Sequence, residues 1–471
     1  MNSVKRFLND FFKIEERGST ISQELLGGLV VFLAMIYILP VNSFMLGNLE
    51  GSSVGSVFLA TALSAGVATL IMGLLANLPV GLAPGMGVNA FFTYTVVMQI
   101  GFSYGEALVC VFLSGIIFFI VSITNLRQAI LKAIPKSLKC AVGAGIGGFI
   151  AFIGLKNAGI IVANPATFVG FQSFLDKNGS FSLEIFTLVS LAFIGIILVL
   201  ILGNLKNKRI SRFAVIISML VVAIISGILN LSGLNTPGFM GSSLDDLSLN
   251  TSIWSGFSEL FTNPAHLALL FPIVFSFLFV DFFDTAGTLV AVGNSANLIK
   301  EDGSLIGDKK ALMADSIGTL FGACVGTSTV TSFVESTTGV ESGSRTGLSA
   351  TVVGVLFLLS LVAYPIFSVF GSVTIDGASY SPVTSLALVY VGILMFKQVF
   401  DINKDDIAEV AATFITIMGM ILCYSISYGI AFGFLTYILV MLATRRHKEV
   451  SITMYALGVV FISYIILDML I

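Results

Sequence analysis

Two stretches of the chain decide its fold: residues 81–100 read GLAPGMGVNAFFTYTVVMQI, and residues 327–343 read TSTVTSFVESTTGVESG. Each lies between long apolar runs, yet each is interrupted by Gly, Pro, Ser or Thr, and the second is too polar to face lipid. Inside a membrane, backbone that leaves regular helical geometry is tolerated only where it is buried in protein or lines a cavity. If the chain spans a membrane, these two stretches therefore mark an interior site.

The composition indicates a membrane protein. Of the 471 residues, 56% are hydrophobic and only 10% are charged, and the mean hydropathy is +1.02. A soluble domain carries about a quarter charged residues, so this chain lacks the polar side chains that would cover its surface in water. The net charge of −3 comes with no basic arm or face, which argues against nucleic-acid binding. Four scattered cysteines and two histidines form no metal-binding spacing, and we expect no metal and no cofactor.

The basic residues predict the topology, because cytoplasmic loops carry an excess of Lys and Arg. When 81–100 and 327–343 are counted as spans 3 and 10 of fourteen, every Lys and Arg except Lys156 and Lys177 falls on the side of the N-terminus. We therefore predict a cytoplasmic N-terminus and a further apolar helix over 453–471, either spanning the membrane or lying at its interface. The other twelve apolar runs lie at 25–46, 54–78, 105–124, 141–162, 182–203, 213–231, 266–283, 311–325, 347–369, 382–398, 407–425 and 428–444.

The two broken spans sit seven spans apart, which predicts an inverted repeat. An odd number of spans in each half forces the two halves into opposite orientations, and short Gly- or Pro-broken segments at corresponding positions point to a binding site near the midplane. The predicted fold class is an all-α polytopic membrane protein of about 14 spans, a 7+7 inverted repeat in which spans 3 and 10 are short and broken.

A few polar side chains lie where a membrane span should be apolar. Span 8 ends FLFVDFFDTAGTLVAVG, which places Asp281 and Asp284 one turn apart on one helix face. Glu335 lies in the hydroxyl-rich span 10, and Asn89 follows two glycines in span 3. Ionisable residues at membrane depth are costly and mark a functional site by default. We predict a substrate site of Asn89, Asp281, Asp284 and Glu335, and for Asp315 in span 9 either proton coupling or a structural role.

These side chains favour a neutral, planar solute over an anion. Carboxylates accept hydrogen bonds from N–H donors, and no cationic residue is embedded among the spans to hold an anion. Phe91 and Phe283 adjoin the polar residues and are candidates to stack on a flat ligand. The embedded carboxyl groups could gain and lose a proton during transport, which would couple uptake to the proton gradient; coupling to sodium is the open alternative.

Three motifs carry a family resemblance: GMGVNAFFTY at 85–94, DFFDTAGTLVAVG at 281–293 and TSTVTSFVESTTGVESGSRTGL at 327–348. They resemble the AzgA-like hypoxanthine/guanine/adenine permeases, which belong to the nucleobase–cation symporter (xanthine/uracil permease) superfamily and have the uracil-permease-like fold. The resemblance covers all fourteen spans. It implies that spans 3 and 10 cross as short strands followed by half-helices, and it places the four predicted substrate-site residues around a purine.

The resemblance also implies a core domain of spans 1–4 and 8–11, and a gate domain of spans 5–7 and 12–14 that dimerises. The implied boundaries are 1–24 for a cytoplasmic N-terminal segment, 25–125 and 266–369 for the core, 126–231 and 370–444 for the gate, 232–265 for an extracellular connection, and 445–471 for a basic loop and C-terminal apolar helix.

We therefore expect a secondary active transporter of the plasma membrane that imports purine bases, hypoxanthine or guanine and also adenine, by proton symport through alternating access. A uracil or xanthine permease and an anion transporter of the same fold are the alternatives within transport, and a channel is the alternative of another class. An enzyme is not expected, because the spans contain no Ser–His, Cys–His or His-rich cluster. The expected partners are the purine base, a proton, the lipid bilayer and a second copy of the chain.

Overall fold

The computed structural model describes residues 2–124, 134–175, 179–239, 243–299, 305–375 and 377–470. Four basic residues that enter the topology prediction, Arg127, Lys132, Lys177 and Lys300, lie outside the described residues. Within the described ranges, nine helices are long and apolar enough to cross a membrane. They belong to spans 1, 2, 4, 5, 6, 7, 8, 11 and 14, so the remaining five spans are shorter or more polar.

The first half of the chain contains spans 1–7. Span 1 is two helices, and span 3 is a three-residue strand followed by a short helix. The elements are the N-terminal helix Asn2–Phe12; span 1, Ile21–Met35 and Ile38–Leu46; span 2, Val54–Ile71 continued by the π-helix Met72–Ala76; span 3, strand β1 Leu82–Pro84, helix Met86–Ala90 and π-helix Phe91–Gln99; span 4, Tyr104–Ile123; span 5, Lys136–Asn157; strands β2 Ile161–Asn164 and β3 Phe168–Phe171; span 6, Leu183–Gly203; helix Lys208–Arg212; and span 7, Ala214–Leu231.

The second half contains spans 8–14, and span 10 repeats the strand and short helix of span 3. The elements are the 3-10 helix Leu244–Asp246; helix Ile253–Thr262; span 8, Pro264–Ser295; span 9, Asp308–Val325; span 10, strand β4 Val330–Ser332 and helix Ser336–Glu341; span 11, Gly347–Leu359 continued by the 3-10 helix Ser360–Phe370; strands β5 Val373–Ile375 and β6 Ala378–Tyr380; span 12, Ser385–Phe396 continued by Lys397–Asp401; span 13, Ile407–Leu422; span 14, Ile426–Ala443; the 3-10 helix His447–Glu449; and the C-terminal helix Ile452–Leu470.

Local sequence explains where the spans around the site begin and end. Asn263 caps span 8, because its side chain accepts hydrogen bonds from the first backbone N–H groups and Pro264 follows at a position where no N–H is needed. Span 9 ends at Gly326, whose φ of 99° lies in the left-handed region that favours glycine. This turn directs the chain into β4 instead of continuing the helix.

The spans pack in two groups. In the first group, span 9 packs against spans 2 and 4, span 11 packs against spans 1 and 2, and span 8 packs against span 4. In the second group, span 5 packs against spans 12 and 13, span 6 packs against spans 7 and 12, and span 13 packs against span 14. The C-terminal helix contacts span 14 and span 8, with the ring of Phe461 5.3 Å from that of Phe434 and 5.9 Å from that of Phe275.

The predicted fold class is confirmed. The chain is an all-helical polytopic membrane protein in which the two interrupted stretches are short, broken spans, each made of a strand and a short helix. Strands β1 and β4 form a two-stranded antiparallel sheet that joins the two broken spans.

Candidate functional site

Strands β1 and β4 pair with each other in antiparallel register, with Ala83 opposite Thr331. The pairing extends beyond the strands, since the Gly85 N–H donates to the Thr329 carbonyl at 3.0 Å and the Phe333 N–H donates to the Gly81 carbonyl at 2.9 Å. These bonds satisfy backbone groups that have no helical partner inside the bundle. A Cβ added at Gly85 would lie 2.8 Å from the Thr331 methyl group, so the crossing requires glycine there. Spans 3 and 10 therefore meet backbone to backbone.

Asp284 and Glu335 lie on the partly exposed side of this crossing, and both are half-buried. The Thr331 hydroxyl donates to Asp284 Oδ2 at 3.3 Å, and the Tyr37 hydroxyl donates to Glu335 Oε1 at 2.7 Å. The two carboxylates interact electrostatically. The end of β4 therefore brings an acid of span 8 and an acid of span 10 together, each held by one hydroxyl group.

Asp281 and Asp315 are buried between spans 8 and 9, and their exposed fractions are 1% and 0% respectively. The Thr285 hydroxyl donates to Asp315 Oδ2 at 2.5 Å, and the Thr319 hydroxyl lies 3.4 Å from Asp281 Oδ2. Thr319 also lies 3.1 Å from the carbonyl oxygen of Val330 in β4. The structure thus separates the acids of span 8, because Asp284 is partly exposed whereas Asp281 is enclosed with Asp315.

Alternation along β4 explains this separation. Successive side chains of a strand point to opposite faces. The Thr331 side chain contacts Asp284, while the Val330 side chain faces span 9, where a Cβ at Gly318 would lie 3.2 Å from it. The strand therefore has one face toward the half-buried acids and the other toward the helix that carries Asp315.

Asn89 is fully buried near the end of the short helix Met86–Ala90 of span 3. Its side-chain oxygen accepts a hydrogen bond from the Ser328 hydroxyl, and its amide lies 3.5 Å from the Pro84 carbonyl. Asn89 thus joins span 3 to the residues that enter β4. In this conformation both the oxygen and the nitrogen of its side-chain amide contact protein groups.

The two predicted stacking rings differ in their surroundings. Phe91 is fully buried, with its ring 4.7 Å from that of Phe277 and nearly edge-on. Phe283 is partly exposed, with its ring 4.5 Å from that of Phe279 and 5.4 Å from that of Phe282. Of the two rings, Phe283 is therefore the one that is partly exposed.

The sequence prediction missed four hydroxyl partners: those that bond an acid are Tyr37, Thr285 and Thr319, and the one that bonds Asn89 is Ser328. Tyr37 could have been found from the sequence, because a phenol in the middle of the apolar first span needs a hydrogen-bond partner. In the structure its side chain is 1% exposed. It lies between the two helices of span 1. Thr285 and Thr319 gave no such signal, since threonine in a helix commonly bonds its own backbone.

Two surface cavities lie away from the acids, at the 232–265 connection. One of about 510 Å³ is lined by residues that include Ser56 and Asn250, and one of about 680 Å³ is lined by residues that include Glu106 and His266. Neither lining includes an acid of the strand crossing.

Fold and site together define a class: a polytopic membrane transporter with paired broken spans and embedded acids where they cross. The chain matches the model of the Permease family (Xan_ur_permease) over residues 22–432 and belongs to this family, among its AzgA-like members. The predicted family resemblance is confirmed.

Two relatives cover nearly the whole chain. The guanine/hypoxanthine permease PbuG of Bacillus subtilis is 41% identical over 98% of this chain and 99% of its own length. The adenine permease AdeQ of Escherichia coli is 35% identical over 98% of this chain and 96% of its own length. Among solved structures, the transmembrane domain of the cyanobacterial bicarbonate transporter BicA matches with a TM-score of 0.59 at 14% identity, over 86% of this chain and 96% of that chain. This last likeness shows the shared fold, a 7+7 inverted repeat.

Proposed function

We propose that this protein imports purine nucleobases across the plasma membrane by proton symport. The observation that carries the proposal is the meeting of Asp284 and Glu335 beside the β1–β4 crossing, two half-buried carboxylates held by hydroxyl groups. The similarity to guanine/hypoxanthine and adenine permeases over nearly the full chain supports the same substrate class.

The chemistry of the two carboxylates suits a purine. A carboxylate offers only acceptors, and a purine presents N–H donors along its ring edges, so the pair can bind a neutral base from two sides. In a partly desolvated site, hydrogen bonds to a charged group are stronger than those between neutral groups. Phe283, partly exposed beside Asp284 in span 8, is the ring that we propose packs on the base.

An anion is the weaker alternative at this site. Among the described residues, the ion pairs involve neither Asp284 nor Glu335, so no basic side chain neutralises the two acids. An anion would meet two negative charges at close range. The shared fold with a bicarbonate transporter carries no weight here, because the same fold accommodates different sites.

The packing of the spans supports movement of one domain against another. We propose that the first packing group, spans 1–4 and 8–11, is the core domain that carries the site, and that spans 5–7 and 12–14 form the gate domain and dimerise. The paired strands tie spans 3 and 10 into one unit, so the core can move without disrupting the site. The excess of basic residues on one side supports a cytoplasmic N-terminus.

Uptake of radiolabelled bases tests the proposal. Cells that lack their own purine transporters would express the protein and receive hypoxanthine, guanine, adenine, xanthine or uracil, each with and without a protonophore. We expect concentrative uptake of at least one of the first three bases and its collapse when the protonophore is added. Uptake of only uracil or xanthine would contradict the substrate class, and uptake that persists with the protonophore but requires sodium would contradict proton coupling.

A further inference from the structure

Asp281 and Asp315 form a buried acidic pair in which half of the oxygen atoms have no partner. The side chains are 1% and 0% exposed, and Oδ1 of each lacks a hydrogen bond within the described residues. A third buried atom without a partner is the hydroxyl of Ser332, a residue whose backbone N–H donates to Thr285 Oγ1 at 3.4 Å. Thr285 in turn bonds Asp315. Three unsatisfied polar groups therefore lie together between β4, span 8 and span 9.

The charged groups that face this pair are also acids. Asp281 and Asp315 interact electrostatically with each other, and both are influenced by Asp284, which is influenced by Glu335. Among the described residues, no Lys, Arg or His forms an ion pair with either member. Two ionised carboxylates close together inside a protein repel each other, and such pairs in known active sites hold one proton between them. A proton shared by the two carboxyl groups would relieve this repulsion.

We propose that Asp281 and Asp315 are the site at which the coupling proton binds, separate from the carboxylates that contact the base. This inference rests on the proposed function, since it names the proton site of the same transporter. A proton needs only the two free oxygens of the pair. Within the described residues, the pair belongs to no group of three or more Asp, Glu, His or Cys side chains that could hold a metal ion.

Two hydroxyl groups connect the proton site to the strand that contacts the substrate acids. Thr319 has a single hydroxyl proton, so it can donate to Asp281 Oδ2 or to the Val330 carbonyl, but not to both at once. An ionised Asp281 attracts this proton, whereas a protonated Asp281 leaves it to Val330. Thr285 makes the second connection, between Asp315 and the Ser332 N–H. Protonation thus changes the hydrogen bonding of β4, whose Thr331 holds Asp284.

The test is Asp315→Asn in proteoliposomes that contain the purified full-length protein. Purine exchange, in which labelled base outside replaces unlabelled base inside, needs no net proton movement, and we expect its rate to stay within about threefold of the wild type. Accumulation driven by an inside-alkaline pH gradient is expected to fall at least about tenfold. Asp405→Asn is the matched control, because Asp405 is an exposed carboxylate and both activities are expected to be unchanged.

A second measurement counts protons directly. With a pH-indicator dye trapped in the vesicles, wild-type protein is expected to carry protons with the purine, and Asp315→Asn is expected to carry purine without them. If Asp315→Asn also lost exchange, Thr319→Val would decide, because it removes the shared donor and leaves both carboxyl groups in place. We expect Thr319→Val to exchange purine and to shift the pH at which accumulation is half-maximal.

These measurements distinguish a failure of the proposed function from a failure of the inference about the proton site. Wild-type protein that binds no purine, or does not accumulate it in a pH gradient, would contradict the proposed function itself. Wild-type accumulation together with unchanged proton transport in both Asp315→Asn and Thr319→Val would overturn the inference alone. Accumulation by the wild type in a sodium gradient without a pH gradient, removed by Asp315→Asn, would overturn the proton as the ligand of the pair.

Discussion

Two sets of acids within the spans of this protein differ in the hydrogen-bond partners of their carboxylate oxygens. Glu24, at the start of span 1, accepts the backbone N–H groups of Arg345 and Thr346 at 2.7 and 3.3 Å. Glu106, at the start of span 4, accepts the Ser103 N–H at 2.8 Å and pairs with His266 at 2.8 Å. Both glutamates are as deeply buried as the acids between spans 8 and 9. Every carboxylate oxygen of this first set has a partner.

The second set is Asp281, Asp284, Asp315 and Glu335. Each of them accepts a side-chain hydrogen bond from one hydroxyl group, of Thr319, Thr331, Thr285 and Tyr37 in that order. Hydroxyl groups rotate and can change donors, whereas a backbone N–H in a helix cap is fixed. The comparison teaches that burial alone does not mark a functional acid. An acid whose carboxylate oxygens all have fixed hydrogen-bond partners is expected to be structural. An acid with few partners, all of them rotatable hydroxyl groups, is expected to exchange ligands.

The largest effects are expected from removing a charge in the second set. Glu335→Gln should lower purine uptake by about 30-fold or more, since a charged group in a desolvated site contributes roughly 2–5 kcal/mol to binding its partner. Asp281→Asn should abolish concentrative uptake as well, because it removes half of the proposed proton site. Uptake is measured as an initial rate, normalised to the protein at the cell surface.

Asp405→Asn is the control for both variants, because it removes an exposed carboxylate at unchanged size. Near-normal uptake by both Glu335→Gln and Asp281→Asn, at normal surface expression, would break the comparison, because acids with rotatable partners would then be no more functional than the others.

A smaller effect is expected from Tyr37→Phe, which removes the hydroxyl group that holds Glu335 and keeps the ring. A hydrogen bond to a charged group contributes about 1.5–3 kcal/mol, which corresponds to about a 10- to 100-fold loss in the uptake efficiency for purine. The concentration dependence of uptake measures it. Tyr455→Phe, a change to a half-buried tyrosine of the C-terminal helix whose hydroxyl donates to the His447 carbonyl, should leave uptake unaltered. An equal loss in both variants would argue against a specific role for Tyr37.

Ser328→Ala should reduce uptake less, by about two- to tenfold. It removes the hydrogen bond between the Ser328 hydroxyl and Asn89, and one neutral hydrogen bond contributes about 0.5–1.5 kcal/mol. Ser255→Ala, at an exposed position of helix Ile253–Thr262, is the matched control. Loss of more than a hundredfold in Ser328→Ala would instead indicate that this serine contacts the substrate.

The smallest effect on uptake is expected in the first set. Glu106→Gln weakens the pairing with His266, so the folded state should lose about 1–3 kcal/mol and the detergent-solubilised protein should unfold at a lower temperature. Uptake per molecule at the surface should stay within about twofold of the wild type. Thermal unfolding monitored by size-exclusion chromatography checks stability. A normal unfolding temperature together with lost uptake would place Glu106 in the transport mechanism and contradict its structural role.

Much of the site could be predicted because polar side chains inside a membrane are energetically unfavourable. Asp281, Asp284, Glu335 and Asn89 stand out in the sequence, since polar groups are expensive in an apolar span whatever their neighbours. The broken spans stand out for a related reason, because Gly, Pro and clustered hydroxyl residues interrupt a helix. These are local properties, and a pattern of neighbouring residues is enough to reveal them.

The roles within the site were not predictable in the same way. The sequence places Asp281 and Asp284 on one helix face and treats them alike, but β4 separates them, with Asp284 beside Thr331 and Asp281 beside Thr319. Tyr37 and Glu335 are 298 positions apart in the chain and 2.7 Å apart in space. No local pattern links such residues.

The sequence by itself determined that this protein is a membrane transporter with fourteen spans, two of them broken, and which few polar side chains lie inside. It could do so because hydrophobicity and the cost of burying charge are properties of each residue. The tertiary structure decided which hydroxyl group bonds each acid. It also decided that Asp284 and Glu335 are partly exposed whereas Asp281 and Asp315 form a buried pair. That depends on the pairing of β1 with β4, a contact between two halves of the chain that only the folded packing brings together.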